Sequence, residues 1–292
     1  MEIVIDNLSK KYGKKEAIKN LSLTIPSGMY GLLGRNGAGK TSLMRILATL
    51  SVPTSGDVWM NGVSIKETMK IREMVGYLPQ DFSMYRSMTV FGAMDYLGLL
   101  SNIPDRIRKE RIDHLLEKVN LEDNVKTKVK ALSGGMKRRL GIAQALLHNP
   151  QILIVDEPTA GLDPEERIRF RNLLSDFADD RIVLLSTHIA SDIESTCNGV
   201  AVLNNGRLIF HGNTEKLIQQ ADGKVYIIKT PKKIDNRIKE KYICLNMSNS
   251  RAGVQYRVLS DTLPEEKAEL QSPTLEDGYM YLLHQIEGGI NS

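Results

Sequence analysis

The sequence predicts an α/β domain around a largely parallel sheet, followed by a smaller α+β appendage. Over roughly the first 220 residues, short apolar β-rich segments alternate with helical stretches. Turn-like punctuation separates them at IPSG (Ile25–Gly28), PTSGD (Pro53–Asp57) and NNGR (Asn204–Arg207). After about Gln220 the pattern changes to three closely spaced β-rich runs and one helix. We place the boundary between residues 222 and 223, with a helical subdomain at about 82–145 inside the larger part.

A chain of 292 residues is long enough to bury a core, and 41% hydrophobic with 25% charged residues excludes wholesale disorder and a fibrous fold. The net charge of +4 is mild for this length and neither demands nor excludes an anionic partner. Cys197 and Cys244 show no CxxC spacing, which argues against a disulfide framework or cysteine-held zinc and for a reducing compartment. Glu2 and Asp6 stand where a secretory signal would be basic and then apolar. The longest apolar runs, QILIV from Gln151 and RIVLL from Arg181, are strand-sized and too short to cross a bilayer. Composition therefore predicts a soluble intracellular protein.

In chain order, the first chemically informative element is GRNGAGKT, Gly34–Thr41, which fits G-x-x-x-x-G-K-[ST]. It follows strand-like YGLL and precedes helix-like SLMRILATL. Polyphosphate binding needs this arrangement, because converging backbone N–H groups and a helix N-terminus favour anionic oxygens. Arg35, Asn36, Gly37, Ala38 and Gly39 supply the loop backbone, Lys40 reaches the β- and γ-phosphates, and the Thr41 hydroxyl ligates Mg²⁺.

Next, DRIRKERIDHLLEKVN (Asp105–Asn120) reads as an amphipathic helix, with Ile107, Ile112, Leu115, Leu116 and Val119 on its apolar face. Arg106, Arg108, Lys109 and Arg111 make a solvated face rather than a nucleic-acid patch, since no aromatics interleave with them.

Further along, QILIVDEPTAGLDP (Gln151–Pro164) is a buried strand ending in two acids. Asp156 then lies at the strand's carboxyl end, where open α/β sheets bind ligands, and is the natural Mg²⁺ partner. Glu157, one residue on, points elsewhere and is placed to orient or deprotonate an attacking water. In the tail, KVYIIKT (Lys224–Thr230), YICLNMS (Tyr242–Ser248) and GVQYRVLS (Gly253–Ser260) read as strands, and Ser272–Gln285 as a helix capped by Ser272.

From about Ile3 to Ile218 these motifs, in this order, resemble the ATP-binding subunits of ABC transporters. LSGGM (Leu132–Met136) resembles the signature, YLPQD (Tyr77–Asp81) supplies a Q-loop glutamine in Gln80, AGLDP (Ala160–Pro164) resembles the D-loop, and STH (Ser186–His188) the histidine switch. Tyr12 stands where the family places an aromatic that stacks on adenine. The resemblance implies a P-loop NTPase fold of the ABC ATPase type: a mostly parallel core sheet, an antiparallel β subdomain and a helical signature subdomain.

It also implies ATP and Mg²⁺ as ligands, ATP hydrolysis as the reaction, and two cassettes facing head to tail. Ser42 lies near the α-phosphate, Gln80 reports on Mg²⁺ and water, and His188 contacts the γ-phosphate. Ser133 and the amides of Gly134 and Gly135 close on the γ-phosphate held by the other cassette, and Asp163 bridges to it. The implied partners are a second copy or a homologous ATPase subunit and a separate integral-membrane permease, with no nucleic acid. That places the chain on the inner face of the cell membrane.

Met136 replaces the commoner Gln of the signature, and the phosphate contacts do not require that side chain. LSGGMKRRL and the tail's PTLEDGYMYLL (Pro273–Leu283) resemble the ABC-2-type exporter branch. The Met- and aromatic-rich run Asp81–Leu100 reads either as the groove for a permease helix or as ordinary core packing. The alternative to a transporter motor is a soluble ABC ATPase. Against it, each motif occurs once, and the 116 positions from Lys40 to Asp156 leave no room for a long coiled coil.

Overall fold

The computed structural model describes residues 1–159, 162–231, 236–250, 253–264 and 268–288. Ala160 and Gly161 of AGLDP lie outside the described residues. The chain divides into two compact units, residues 1–189 with 196–211, and residues 190–195 with 212–292.

In chain order the elements begin β1 (Glu2–Tyr12), β2 (Lys15–Pro26), β3 (Gly28–Leu33), α1 (Lys40–Leu47), β4 (Ser55–Met60), β5 (Val63–Ser64), α2 (Thr68–Met74) and β6 (Val75–Leu78). Next come α3 (Val90–Leu100), α4 (Asp105–Lys118), α5 (Gly134–Leu146), β7 (Ile152–Asp156), α6 (Pro164–Phe177), β8 (Ile182–Thr187) and α7 (Ala190–Glu194). The remainder is β9 (Gly199–Asn204), β10 (Arg207–Asn213), α8 (Thr214–Ile218), β11 (Val225–Thr230), α9 (Asn236–Lys241), β12 (Ile243–Ser250), β13 (Gly253–Leu259), β14 (Ala268–Leu270) and α10 (Leu275–Gly288).

The first unit carries the α/β architecture that the sequence predicts. Its main sheet has the order β10-β9-β3-β8-β7-β6, and β9, β3, β8, β7 and β6 pair in parallel. Every residue of β7 and β8 is buried, as expected of parallel strands covered on both faces. A second, antiparallel sheet runs β2-β1-β4-β5. Helix α1 joins the two: Leu43, Ile46 and Leu47 share one core with Ile5 and Leu21 from the antiparallel sheet and with Leu32, Ile154 and Leu184 from the parallel one.

This packing fixes the chemistry of the carboxyl edge. The register sets Leu33 beside Thr187, Asp156 beside Ser186 and Leu78 beside Val155, so four parallel strands end together. The segments that follow β3, β6, β7 and β8 carry Lys40, at the start of α1, and Gln80, Glu157 and His188 respectively.

Helices α3, α4 and α5 form the helical part. On α4, Ile112, Leu115 and Leu116 are buried, with Val119 just beyond, but Ile107 is 38% exposed and does not belong to the apolar face. Arg108 is buried instead, ion-paired to Asp95 at 2.6 Å and Asp105 at 2.9 Å and donating to the Ile103 carbonyl. The basic face is thus partly consumed inside the fold.

In the second unit, an antiparallel sheet of order β12-β13-β11-β14 is covered on one side by a core that includes Ile238 of α9 and on the other by one that includes Tyr281 of α10. The sequence reading anticipates three of these strands and the last helix, but neither β14 nor α9. Ser272 does not cap α10. Thr274 does, in a reciprocal pair: its N–H and hydroxyl donate to Asp277 Oδ2 at 2.7 and 2.8 Å, and the Asp277 N–H donates to its Oγ1 at 3.4 Å.

Asp277 is 2% exposed and also receives Arg257 Nε at 3.0 Å and Nη2 at 2.5 Å, tying α10 to β13. Burial pushes its carboxyl pKa up, but the hydrogen bonds from Arg257 and Thr274 outweigh this, so it titrates below the usual carboxylate range. Gly278, next along, passes so close to α8 that a Cβ would lie 2.0 Å from the Leu217 carbonyl oxygen.

Removing Asp277 takes the carboxylate partner from the half-buried Arg257 guanidinium and the acceptor from the Thr274 cap, so Asp277→Ala should lose about 1–3 kcal/mol locally. Amide hydrogen exchange should speed up across β13 and α10. Gly278→Ala should also destabilise this unit, although alanine is the better helix former by about 1 kcal/mol. A raised melting temperature in that variant would refute the close approach.

Candidate active site

The site is built where β3 hands over to α1. Gly39 adopts φ 111° immediately before the helix, and a Cβ there would lie 2.5 Å from the Ala17 carbonyl oxygen, so only glycine fits. The loop backbone and the first turn of α1 form the floor of a cavity of about 450 Å³. Its lining comprises Asn36, Gly37, Ala38, Gly39, Lys40, Thr41 and Ser42 from the loop, with Tyr12, Lys15 and Ala17 on one side and Gln80 and Glu157 on the other. The first turn of α1 contains no acid, which leaves its N-terminal partial charge available to an anion.

Lys40 is 5% exposed. Its Nζ donates to the Gly34 carbonyl at 2.6 Å and lies 3.2 Å from Glu157 Oε1. Glu157 Oε2 is 2.7 Å from His188 Nδ1, giving a continuous Lys40–Glu157–His188 chain. Glu157 leaves the strand with φ 47°, a left-handed conformation that side chains rarely adopt. That twist turns its carboxylate away from Asp156 and toward Lys40 and His188.

Asp156 is fully buried. Its Oδ1 accepts the Ser186 hydroxyl at 2.5 Å, while Oδ2 has no hydrogen-bond partner among the described residues. A buried carboxylate oxygen without a donor suits a cation, and hard oxygen ligands are what Mg²⁺ takes. Thr41, exposed at the cavity wall, offers a second oxygen.

Tyr12 stands at the cavity rim, 47% exposed, with Lys10 Nζ 4.8 Å from its ring centroid. Partial burial raises its pKa, but hydrogen bonds with Ser51 and Ser42 and the charge of Lys10 bring it below the ordinary phenol value. Gln80 lines the cavity with its side chain exposed. Arg35 is exposed on the loop and is not part of the lining.

Four expected residues stand apart from this cavity. Ser133 caps α5, its Oγ accepting the Met136 N–H at 3.1 Å, and Gly134 faces open space. Gly135 comes near Leu162, where a Cβ would sit 3.9 Å from its Cδ2. Asp163 caps α6 by accepting the Glu166 N–H at 2.9 Å. Only the Met136 backbone takes part in the Ser133 cap, so the departure at that position leaves the helix end intact.

Residues 18–160 match the ABC transporter family model. YxlF, an ABC transporter ATP-binding protein of Bacillus subtilis, is 34% identical over 96% of this chain and 99% of its own length. The chain belongs to the ABC transporter ATP-binding family. The Nod factor export ATP-binding protein I of Ralstonia nicotianae is 36% identical over 75% of this chain and 69% of its own. The methionine import ATP-binding protein MetN of Carboxydothermus hydrogenoformans is 38% identical over 72% of this chain and 66% of its own. A dimeric bacterial ABC transporter cassette of known structure superimposes with a TM-score of 0.67 at 27% identity, over 72% of this chain and 98% of that one.

This ABC chain is therefore an ATP-binding subunit with the fold of an ATP-hydrolysing cassette, and cassettes of this family form dimers and take part in transporter complexes. None of its described helices is long and apolar enough to cross a membrane.

Two residues escape the motif reading. Ser186 lies inside STH but acts beneath the histidine, donating to Asp156 and accepting the Glu157 N–H on Oγ at 3.1 Å. Arg138 is hidden in the basic run KRR of the signature helix, yet it is buried beneath the site. Nothing in a run of cations marks which one turns inward.

Ser186→Ala would leave both Asp156 oxygens without a donor, a loss of about 1–3 kcal/mol. We expect turnover to fall about tenfold or more, with the Mg²⁺ concentration needed for half-maximal rate displaced. An unchanged Mg²⁺ dependence would separate Ser186 from Asp156.

Proposed function

We propose that this chain is the motor of an exporter. It closes on ATP with a second copy of itself or a homologous ATPase subunit and drives a separate integral-membrane permease from the cytoplasmic face. The observation that carries the reading is the Lys40–Glu157–His188 chain at the mouth of the phosphate-binding loop, with the unpartnered Asp156 oxygen beside it.

The division of labour follows from these contacts. Backbone N–H groups of residues 36–41 and the Lys40 ammonium hold the phosphates, Ser42 lies toward the α-phosphate, and Tyr12 offers its ring to the adenine. Asp156 and Thr41, with Gln80 nearby, would hold Mg²⁺, which when bound neutralises charge on the β- and γ-phosphates. The Lys40 ammonium is shared with Glu157, so phosphate oxygens compete for it and turn the carboxylate toward water. Glu157 then accepts a proton as the water oxygen bonds to the γ-phosphorus and the bond to ADP breaks. His188, hydrogen-bonded to Glu157 and 44% exposed on its side chain, faces the transferred phosphoryl.

The exposed N-terminus of α5 is the complementary half-site. Ser133 Oγ already accepts the Met136 N–H, which leaves its O–H proton to donate, and Gly134 permits close approach of an anion. Facing cassettes bring this end to the γ-phosphate of the other copy, with Asp163 at the same junction.

The segment after Gln80 divides between an inward and an outward face. Phe82, Val90, Ala93 and Met94 pack inward, whereas Tyr85, Tyr96, Leu99 and Leu100 face out. Tyr85 and Tyr96 meet edge to face at 5.2 Å. This exposed group, contiguous with Gln80, is the proposed seat of the permease. Export is supported by the form LSGGMKRRL, by the tail's PTLED and by the likeness to the Nod factor export subunit. The methionine import relative, of similar identity, makes direction a matter for the membrane partner.

Glu157→Gln should keep ATP affinity, lose at least about 100-fold in turnover, and accumulate as an ATP-bound dimer on size exclusion. Wild-type turnover would reject the base assignment. Charge at Met84 or Tyr85 should abolish copurification with the permease while leaving ATP binding intact. Unaltered copurification would remove the seat from this surface.

A further inference from the structure

The hydrogen bonds of Arg138 differ in kind from those of its neighbours. Arg139, next in the chain, ties α4 to α6 through the Val119 and Asn120 carbonyls and Glu166. Arg138 is 9% exposed and donates to five backbone carbonyls from two loops. After β6 these are Pro79 at 3.2 Å and Gln80 at 2.5 Å from Nη1. At the end of β7 they are Pro158 at 3.1 Å from Nε, Asp156 at 3.0 Å from Nη2, and Glu157, also on Nη2.

Because β6 and β7 are adjacent in the sheet, one planar fork reaches the exit loops of both. A buried guanidinium held by carbonyl dipoles is costly, and a lysine could not span both loops from a single nitrogen. What this arrangement fixes is the peptide on either side of Glu157. The Glu157 N–H is held by Ser186, through its carbonyl and its hydroxyl at 3.1 Å each, and the Glu157 C=O by Arg138. A left-handed glutamate persists only where its surroundings determine it, and here both flanking groups are pinned.

We propose that Arg138 is a positioning residue for ATP hydrolysis: its guanidinium locks Glu157 in the backbone conformation that aims the carboxylate at the γ-phosphate, and locks Gln80 to it. The proposal rests on the reading of Glu157 as the base. It makes the signature helix a physical link between the segment that starts at Gln80 and the hydrolytic carboxylate. A movement of α5, whose N-terminal end is the proposed γ-phosphate contact, is thereby felt at Glu157 within the same chain.

The test compares Arg138→Lys, Arg138→Ala, Glu157→Gln and the double variants in the full chain with Mg-ATP. Arg138→Ala should lose about 100-fold in kcat, as expected for misplacement of about 1 Å, with KM for ATP changed less than about threefold. Arg138→Lys, which can serve only one loop, should fall between it and the wild type. Added guanidinium ion should restore about tenfold to Arg138→Ala and nothing to Arg138→Ala/Glu157→Gln. The double variant should turn over no more slowly than Glu157→Gln alone, the mark of two groups acting through one step.

Wild-type kcat in Arg138→Ala, or losses that multiply in full with Glu157→Gln, would overturn the proposal. So would a fall in melting temperature and ATP affinity together without rescue by guanidinium. Should Arg138→Ala fail to fold, Arg138→Lys carries the same cycle. Failure of the underlying base assignment is read separately, as wild-type turnover in Glu157→Gln with Arg138 intact.

Discussion

Everything chemical in this molecule depends on the parallel register of β3, β8, β7 and β6. Parallel strands must return by crossovers, so their carboxyl ends share one edge while the crossover helices lie elsewhere. Leu33, Thr187, Asp156 and Leu78 end the four strands together, and each of the following loops contributes one functional side chain. A slip of one residue in β7 would exchange Asp156 for Glu157 at the buried position and leave the phosphate-binding loop facing the wrong carboxylate. The unbroken apolar runs of β7 and β8, buried on both sides, hold that register.

The second constraint is electrostatic. Lys40, Asp156, Glu157 and Arg138 are each at most 9% exposed, and charges so placed need close partners. Lys40 has Glu157 and a carbonyl, Glu157 has Lys40 and His188, and Arg138 has five carbonyls. Of these four, Asp156 alone keeps an oxygen with no donor among the described residues. The imbalance sits one residue before Glu157, which lines the cavity, and a divalent cation there would complete the set. The site is therefore self-compensated except at the point where its ligand brings charge.

The second unit follows different rules. It has a four-stranded antiparallel sheet with a helix-bearing core on each face, and the Arg257–Asp277 pair with the Thr274 cap secures its last helix. YxlF matches across 96% of the chain, so its likeness extends into this unit, whereas the Nod factor and methionine subunits match about three quarters. PTLED, read from the sequence as a branch marker, acquires a physical role: Thr274 and Asp277 are the two halves of the helix cap.

Sequence alone determined the alternation of strands and helices, the phosphate-binding loop and the order of motifs, because each rests on local spacing: glycines that permit positive φ, an apolar run ending in acids, a cap before a helix. It placed Ile107 on the wrong face of α4 and the tail's cap at Ser272, because neighbouring choices of similar local merit are separated only by what packs against them. It passed over Arg138, since a run of three cations looks alike until one turns inward. Only the tertiary structure decided that Glu157 twists onto Lys40 and His188, that Ser186 serves Asp156, and that an arginine of the signature helix grips two loops at once. These contacts join residues from 18 to 117 positions apart in the chain. Long-range geometry of that kind is set by sheet register and helix packing, which no local pattern encodes.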